Sequence, residues 1–479
     1  MDQLHDHSVL QPDHPLGLID IASVTIAGMG PAFSFYFGFA VVAAAAGVGA
    51  PLVVAVAAVA FLLLGNTLSV FSGIKPSSGH FVTYLGMSFG GVTAVITSIL
   101  YVLGYILMGA GVMAVGGGWV EQSLQQYAHI TIPWPIFAVI IVGGSAIIMV
   151  RGVKISAVWA SVSMVVEVAI LLGVATAALV ETHIPLKWSP LSPAHITRGW
   201  AGLGLAFPLA SYFFIGFENS AALAEETTNP RKNVPRAIMT SIVIMAFIYL
   251  YTAFGTITGF HDNIHNLAQA SIPFITVADR ILGPFSILAA LAGLSSTLGV
   301  ILSGGSNVAR VFFNSCREGL FFSKLGTTGP RGTPQAAIIT VNVIQLALAL
   351  LIGGLSGGYF NAFGELSTLG AIPAVLVYGA SNVALIVYAA KHPEMRKTTS
   401  WWRYTILPIL GVGAIILPLW GLVQPGQPSP YNLFPLIIVG LIAFSLLYGL
   451  WKVHRDPQLA TRLGTYSTVV DESHQTKAM

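Results

Sequence analysis

Apolar residues in this chain come in long runs, without the two-residue alternation of half-buried strands. Runs bounded by proline, glycine and charge lie near 17–46, 50–72, 91–117, 133–150, 155–181, 198–228, 235–260, 281–315, 335–354, 364–390, 401–422 and 431–452. Most reach the roughly 20 residues needed to cross a hydrocarbon core. Strands of a membrane barrel would be about half that length and would alternate in polarity. The pattern therefore predicts an all-α integral membrane protein of about twelve transmembrane helices.

Two runs are interrupted halfway. In the first, "SVTIAGMGPAFSFY" sets Gly28, Gly30 and Pro31 near mid-membrane. Pro31 lacks an N–H and clashes with the preceding turn, while glycines tolerate unwound backbone. In the sixth, "YFFIGFENSA" sets Gly216 beside the polar pair Glu218–Asn219. Each is the first of a set of five, and interruptions at matching places in two halves point to a carrier built from inverted repeats. Unwinding frees N–H and C=O groups that are costly in lipid unless something pairs with them. A half-helix N-terminus offers amides to a carboxylate, and freed carbonyls accept from an ammonium. A zwitterionic amino acid suits both. Gly and Pro are common in membrane helices as packing devices; two matched breaks with an acid beside one favour a midplane site.

Composition agrees: 55% of the 479 residues are apolar and 8% charged, with a mean hydropathy of +0.80, against about a quarter charged in soluble domains. The start, Met1–Pro15, carries His5, Asp6, Asp13 and His14 and lacks the basic segment of a cleavable signal. Cys316 is the single cysteine, so no internal disulfide forms. With the N-terminus cytoplasmic, 18 of the 21 Lys and Arg fall inside, leaving Lys187, Arg198 and Arg280 outside. The positive-inside rule then predicts both ends in the cytoplasm of a plasma (inner) membrane protein. The twelve histidines fall in termini or loops, and no HExxH or CxxC stands at depth, which argues against an intramembrane enzyme or a metal centre. No phosphate-binding G-x-x-x-x-G-K-[ST] is present.

Three stretches carry a family resemblance. "GFENSAALAEETTNPRKNVPRAI" resembles the sixth-helix signature of the amino acid–polyamine–organocation permeases, F-x-G-F-E followed by A-E-E, N-P, R and P-R-A-I. "GGSNVARVFFNSCREGLFFSKLGTTGPRGTPQAAI" resembles the stretch after their eighth helix, with Arg310, Arg317, Glu318, Gly319 and Thr333–Pro334 in the motif places. "KPSSGHFVTY" resembles their P-x-S-G-G-x-Y-x-Y, with His80 standing where a glycine is usual. The chain is similar to prokaryotic amino acid permeases over nearly its whole length. The resemblance implies the five-plus-five inverted-repeat fold of the leucine transporter class: a tail at 1–15, repeats at 16–196 and 197–390, two further helices at 391–452 and a tail at 453–479.

It further implies that the substrate lies among helices 1, 3, 6 and 8. Backbone at Ala27, Gly28, Met29 and Gly30 would hold the carboxylate, and carbonyls near Phe214, Ile215 and Gly216 the amine. Tyr212 or Phe213 would form the aromatic gate. The family's G-x-G-I is AGMGP here, and Pro31 removes one amide from the anion site. Helix 3, "YVLGYILMGAG", offers only Tyr101 and Tyr105 as polar groups at that level. Glu218 could attract a cationic substrate or line its path.

For coupling, Glu167 lies about twenty Å into helix 5 from Lys154 at 1.5 Å per residue, where some proton-coupled relatives carry a lysine. A carboxyl surrounded by hydrocarbon favours its neutral form, which makes Glu167 a proton-carrier candidate; a hydrogen-bonded structural acid is the plain alternative. Ser295, Ser296 and Thr297 on helix 8 could support a cation or simply bond between helices. The usual sodium-ligating serine falls nearer Val300, which disfavours sodium. Glu225, Glu226, Arg231, Lys232 and Arg236 read as a cytoplasmic rim, with an ion-pair gate the sharper reading for the acids. The expectation is a secondary transporter of an amino acid or small amine, working by alternating access on a proton gradient, with no other cofactor and no nucleic-acid partner. A polyamine- or ethanolamine-type carrier, an exchanger, a sodium symporter and a non-transporting sensor are the alternatives.

Overall fold

A computed structural model describes residues 15–181, 188–197, 199–261, 263, 266–267, 270, 272–422 and 429–459. Most of both expected tails, and Lys187 and Arg198, lie outside the described residues. Among those described the chain is helical, with one isolated bridge between Leu16 and Thr227. The first span is α1 (Leu18–Met29), α2 (Pro31–Phe33), a wide π-type turn over Ser34–Gly38, and α3 (Phe39–Ala46). Then come α4 (Ala50–Ile74), α5 (His80–Phe89), α6 (Gly91–Ala128), α7 (Trp134–Arg151) and α8 (Val153–Glu181). The second half holds α9 (Gly199–Tyr212), α10 (Asn219–Ala222), α11 (Pro230–Gly259), α12 (Pro273–Leu282) and α13 (Ile287–Arg317). It ends with α14 (Gln335–Leu355), α15 (Tyr359–Lys391), α16 (Pro393–Thr398), α17 (Leu407–Leu422) and α18 (Phe434–Arg455).

Nine helical segments among the described residues are long and apolar enough to cross a membrane, which makes this a multi-pass membrane protein. The difference from the expected twelve has three sources. Spans 1 and 2 form one continuous helical stretch, Leu18–Ile74, because a tight turn at Gly47–Gly49 joins them. Span 6 is divided into α9 and α10, each too short to count. In span 11 the qualifying apolar helix, Trp402–Ile416, is also short. The short helix α5 was not anticipated between spans 2 and 3, nor α12 as a piece separate from span 8.

The 38-residue α6 is the centre of the bundle: 83% of its apolar window is buried, against 22% for the last helix. It packs on α13 and α15. A Cβ at Gly104 would stand 2.8 Å from the Gly370 carbonyl oxygen, so these backbones pack as closely as small residues in membrane bundles allow.

One end of the bundle is closed by charge. Arg310 Nε donates to Glu226 Oε1 at 2.9 Å, with both side chains buried. Arg317 lies 4.0 Å from Glu225, which also accepts from Ser78 Oγ. The Leu16 amide donates to the Glu226 carbonyl at 2.8 Å, and the Thr228 amide to the Leu16 carbonyl at 2.9 Å. The start of α1 is thereby laced to the end of the sixth span. Arg231, Lys232 and Arg236 are exposed at the start of α11, in keeping with a plain rim role. Breaking a buried pair from one side strands the other charge, at about 3–5 kcal/mol. Arg310→Met should therefore destabilise the fold by that amount, and adding Glu226→Leu should recover most of it. A double-mutant cycle in detergent-titrated unfolding checks this.

Candidate substrate site

The two interruptions face each other. α1 stops because Gly30 turns left-handed (φ 62°) and Pro31 opens the next piece without an N–H to give back. The amides that follow find partners elsewhere in the chain. Ala32 N donates to Glu167 Oε2 at 3.5 Å, and Phe33 N to Ser296 Oγ at 2.9 Å. The Met29 carbonyl accepts from Ser34 Oγ at 2.6 Å and from Tyr249 Oη at 3.1 Å. In span 6 the chain leaves α9 at Tyr212, passes Gly216 (φ 105°) and resumes at Asn219. A Cβ on Gly216 would stand 2.9 Å from the Gly28 carbonyl oxygen, so the breaks touch through glycine backbone.

Several acceptors are left over at the breaks, as are the buried hydroxyls of Ser211 and Ser220, which find no partner among the described residues. Among the described residues no hydrogen bond reaches the carbonyl oxygens of Gly28, Phe213 or Ile215, whereas the Phe214 and Gly216 carbonyls expected to hold an amine already accept from the Phe217 and Asn219 amides in the turn between α9 and α10. Glu218, fully buried, supplies the acid nearby. Its Oε1 accepts from Tyr378 Oη at 2.6 Å, Tyr101 Oη at 3.1 Å and Tyr105 Oη, and its Oε2 accepts from Gly216 N at 3.1 Å. Four donors among the described residues thus satisfy a buried acid that would otherwise be costly.

Beside the breaks lies a small cavity of about 50 Å³, partly open to solvent. Of the expected binding residues, Gly28, Met29, Tyr105, Tyr212, Ile215 and Gly216 line it. Tyr101 stands behind, stacked on Tyr105 with centroids 4.6 Å apart. Ala27 and Gly30 belong to the break but not to the wall. Phe213 packs beneath the first span against Tyr249 and Phe35, and Phe214 against Phe61 and Tyr249. Of the two gate candidates the one at the cavity is thus Tyr212, edge-on to Phe363 at 6.0 Å.

Glu167 is buried with the hydroxyls of Ser163, Ser295 and Ser296 close by. Its Oε1 accepts no hydrogen bond among the described residues. Ser295 does not reach this cavity; with Ser163 it lines a separate, leucine-rich crevice between α8 and α13. Thr297 donates within its own helix to the Gly293 carbonyl at 2.8 Å.

Several polar groups escaped the sequence reading. His80 is not a loop histidine: it is buried at the start of α5 with φ 26°. Its Nε2 lies 3.3 Å from Asn307 Oδ1, and its ring meets Tyr101 edge-on. Asn307 Nδ2 reaches Asn219 Oδ1 at 2.5 Å and Tyr101 Oη at 2.9 Å. Asn219 Nδ2 donates to Ser303 Oγ at 2.9 Å, which donates to the Val24 carbonyl at 2.7 Å. Gln345 on α14 completes the wall, its Nε2 donating to the Tyr105 carbonyl at 3.2 Å. The one available signal for His80 was its bulk where the motif has glycine.

A methyl group tests the contact of the two breaks. A Cβ on Gly28 would overlap Asn219 Nδ2 and Ser303 Oγ, whereas one on Gly304, also on the cavity wall, would meet nothing within 4 Å. Overpacking costs about 1–3 kcal/mol, so Gly28→Ala and Gly216→Ala should abolish solute uptake in proteoliposomes while Gly304→Ala retains it.

Comparison with known proteins agrees with this architecture. The amino acid permease profile matches residues 16–444. The branched-chain amino acid permease BcaP of Bacillus subtilis is 24% identical over 419 residues, covering 82% of this chain and 84% of the relative. The putrescine transporter PotE of Haemophilus influenzae is 27% identical over 218 residues, 44% of this chain and 48% of PotE. Among solved structures, the nucleobase-cation-symport-1 transporter Mhp1, closed around bromovinylhydantoin, superposes with a TM-score of 0.53 at 14% identity. That match spans 96% of this chain and 100% of Mhp1, a likeness of fold. With its two opposed helix breaks and a profile match over nearly the whole chain, the protein belongs to the amino acid permease family.

Proposed function

We propose that this permease is a secondary transporter that carries an amino acid or small amine across the plasma membrane by alternating access, driven by protons. The observation that carries the reading is the cavity between two broken helices, whose breaks present carbonyl acceptors without partners. Unpaired carbonyls in a low-dielectric chamber are costly, and an ammonium group bearing three donors satisfies them. Glu218 adds an acid bonded to Tyr105, which lines the same cavity. The division into two five-helix repeats with both termini cytoplasmic belongs to this reading and is supported by the matched positions of the breaks.

A carboxylate-free amine is the second reading, and a specific observation favours it. The amides at the start of the outer half of helix 1 are already committed: Pro31 has none, Ala32 gives its own to Glu167 and Phe33 to Ser296. A substrate carboxylate would have to draw on side-chain donors such as Gln345 and Asn219, which line the cavity. The curated relatives include carriers of both kinds, a branched-chain amino acid permease and a putrescine transporter.

Proton drive rests on Glu167. It holds the Ala32 amide, sits among three hydroxyls and keeps one oxygen without a hydrogen bond. Protonation removes the charge that attracts the amide and turns an acceptor into a donor, which loosens helix 1 where it borders the substrate. Occupancy of the cavity and protonation of Glu167 then bias the same hinge.

Uptake of radiolabelled leucine and putrescine into proteoliposomes, with and without an inward proton gradient, tests the reading. At least one should enter saturably, and the gradient should stimulate it about tenfold. Glu167→Gln should lose that stimulation and keep exchange of internal for external substrate. Stimulation by sodium instead, indifferent to Glu167→Gln, contradicts the proton assignment.

A further inference from the structure

Behind the cavity the buried polar groups form one layer with a single direction, and its origin is His80. The Phe81 amide donates to His80 Nδ1 at 2.8 Å. A backbone N–H can only donate, so Nδ1 carries the lone pair, the ring is neutral and its proton is on Nε2. Nε2 therefore donates to Asn307 Oδ1 at 3.3 Å. The Asn307 amide then stands one way round: the reverse orientation would set its NH₂ against Nε2–H. Its Nδ2 faces Asn219 Oδ1 and Tyr101 Oη, which obliges Tyr101 to give its proton to Glu218. Asn219, with its oxygen committed to Asn307, turns its NH₂ to Ser303, and Ser303 donates to the Val24 carbonyl of α1.

The chain of assignments runs from one backbone amide to the carboxylate of span 6 and a carbonyl of span 1. It passes through Asn219, which lines the cavity. A second observation marks His80 as more than filler. It is a non-glycine residue at φ 26°, fully buried, and residues held in this strained region cluster where a site needs them.

We propose that His80 is a positioning residue for substrate recognition: its neutral imidazole, protonated on Nε2, sets the donor–acceptor direction of the Asn307–Asn219–Tyr101 layer, which reaches the cavity wall at Asn219. The proposal rests on the carrier reading given above. Removing the Nε2 donor lets Asn307 and Asn219 turn over, which presents the wrong polarity at the cavity wall and leaves buried groups unpaired. The layer spans segments from both halves of the chain, so its direction also governs how the two breaks close on a solute.

Two measurements on the full-length protein test this. In ¹⁵N-histidine-labelled protein in nanodiscs, with His80→Gln identifying the signal, His80 should appear as the neutral Nε2–H tautomer. A charged ring or the Nδ1–H tautomer overturns the assignment whether or not any solute is bound. Uptake of leucine and putrescine is then compared in His80→Gln, which keeps a donor near the Nε2 position, and in His80→Leu, which keeps bulk without one. Both carry the same backbone strain. His80→Gln should stay within about threefold of wild type in KM, and His80→Leu should raise KM about tenfold or more with folded yield unchanged. Equal KM values for Leu and Gln overturn the proposal. If wild type moves neither solute, the carrier reading fails and the tautomer alone decides the His80 assignment.

Discussion

Within a bilayer every backbone N–H and C=O must find a partner in the protein, because no water is at hand. This constraint organises the structure. Uninterrupted helices meet it internally; the first and sixth spans do not, and the rest of the site is the response. Glu167 and Ser296 take the amides after Pro31, Ser34 and Tyr249 take the Met29 carbonyl, and Glu218 takes the Gly216 amide. Among the described residues the carbonyls of Gly28, Phe213 and Ile215 and the hydroxyls of Ser211 and Ser220 remain without partners, and Gly28 and Ile215 line the cavity. The selectivity proposed for the protein rests on those two carbonyls.

The same response explains why distant residues are coupled. Gly28 stands at the junction: Gly216 presses on its carbonyl, and Asn219 and Ser303 occupy the space its side chain would need. The first span borders the candidate cavity at Gly28 and Met29, and the Glu167 cluster grips its next turn. A movement of helix 1 by an ångström disturbs both sets of partners at once. At the end of the bundle, the buried Arg310–Glu226 pair and the Leu16–Glu226 hydrogen bond tie the base of span 1 to the exit of span 6, so the two interrupted spans are joined there as well.

Much of this was legible in the sequence because the bilayer is a severe reader. Apolar runs mark spans, and glycine with proline at mid-run marks a break, so Gly28, Gly30, Pro31 and Gly216 announced the site's backbone. The family motifs marked the acids and arginines at the bundle end. Depth was less legible. His80 sits in sequence between spans, yet the chain there carries it into the bundle beside Tyr101. Partners far apart in sequence were invisible for a related reason: Phe33 and Ser296 are separated by 263 positions, Ala32 and Glu167 by 135. Which of two neighbouring aromatics faces the cavity, Tyr212 or Phe213, depended on how Gly216 turns the chain, a conformation that periodicity does not encode. The count of spans diverged where a glycine turn joins two helices and where a break shortens one.

The central claim is that the paired breaks form an acceptor-rich chamber for an ammonium group. A cryo-electron microscopy structure in nanodiscs, with whichever of leucine or putrescine is transported, tests it most directly. The account predicts both spans unwound at Gly30 and Gly216, with the solute nitrogen within hydrogen-bond distance of the Gly28 or Ile215 carbonyl. A continuous helix through either level, or a solute whose nitrogen is held elsewhere, would contradict it.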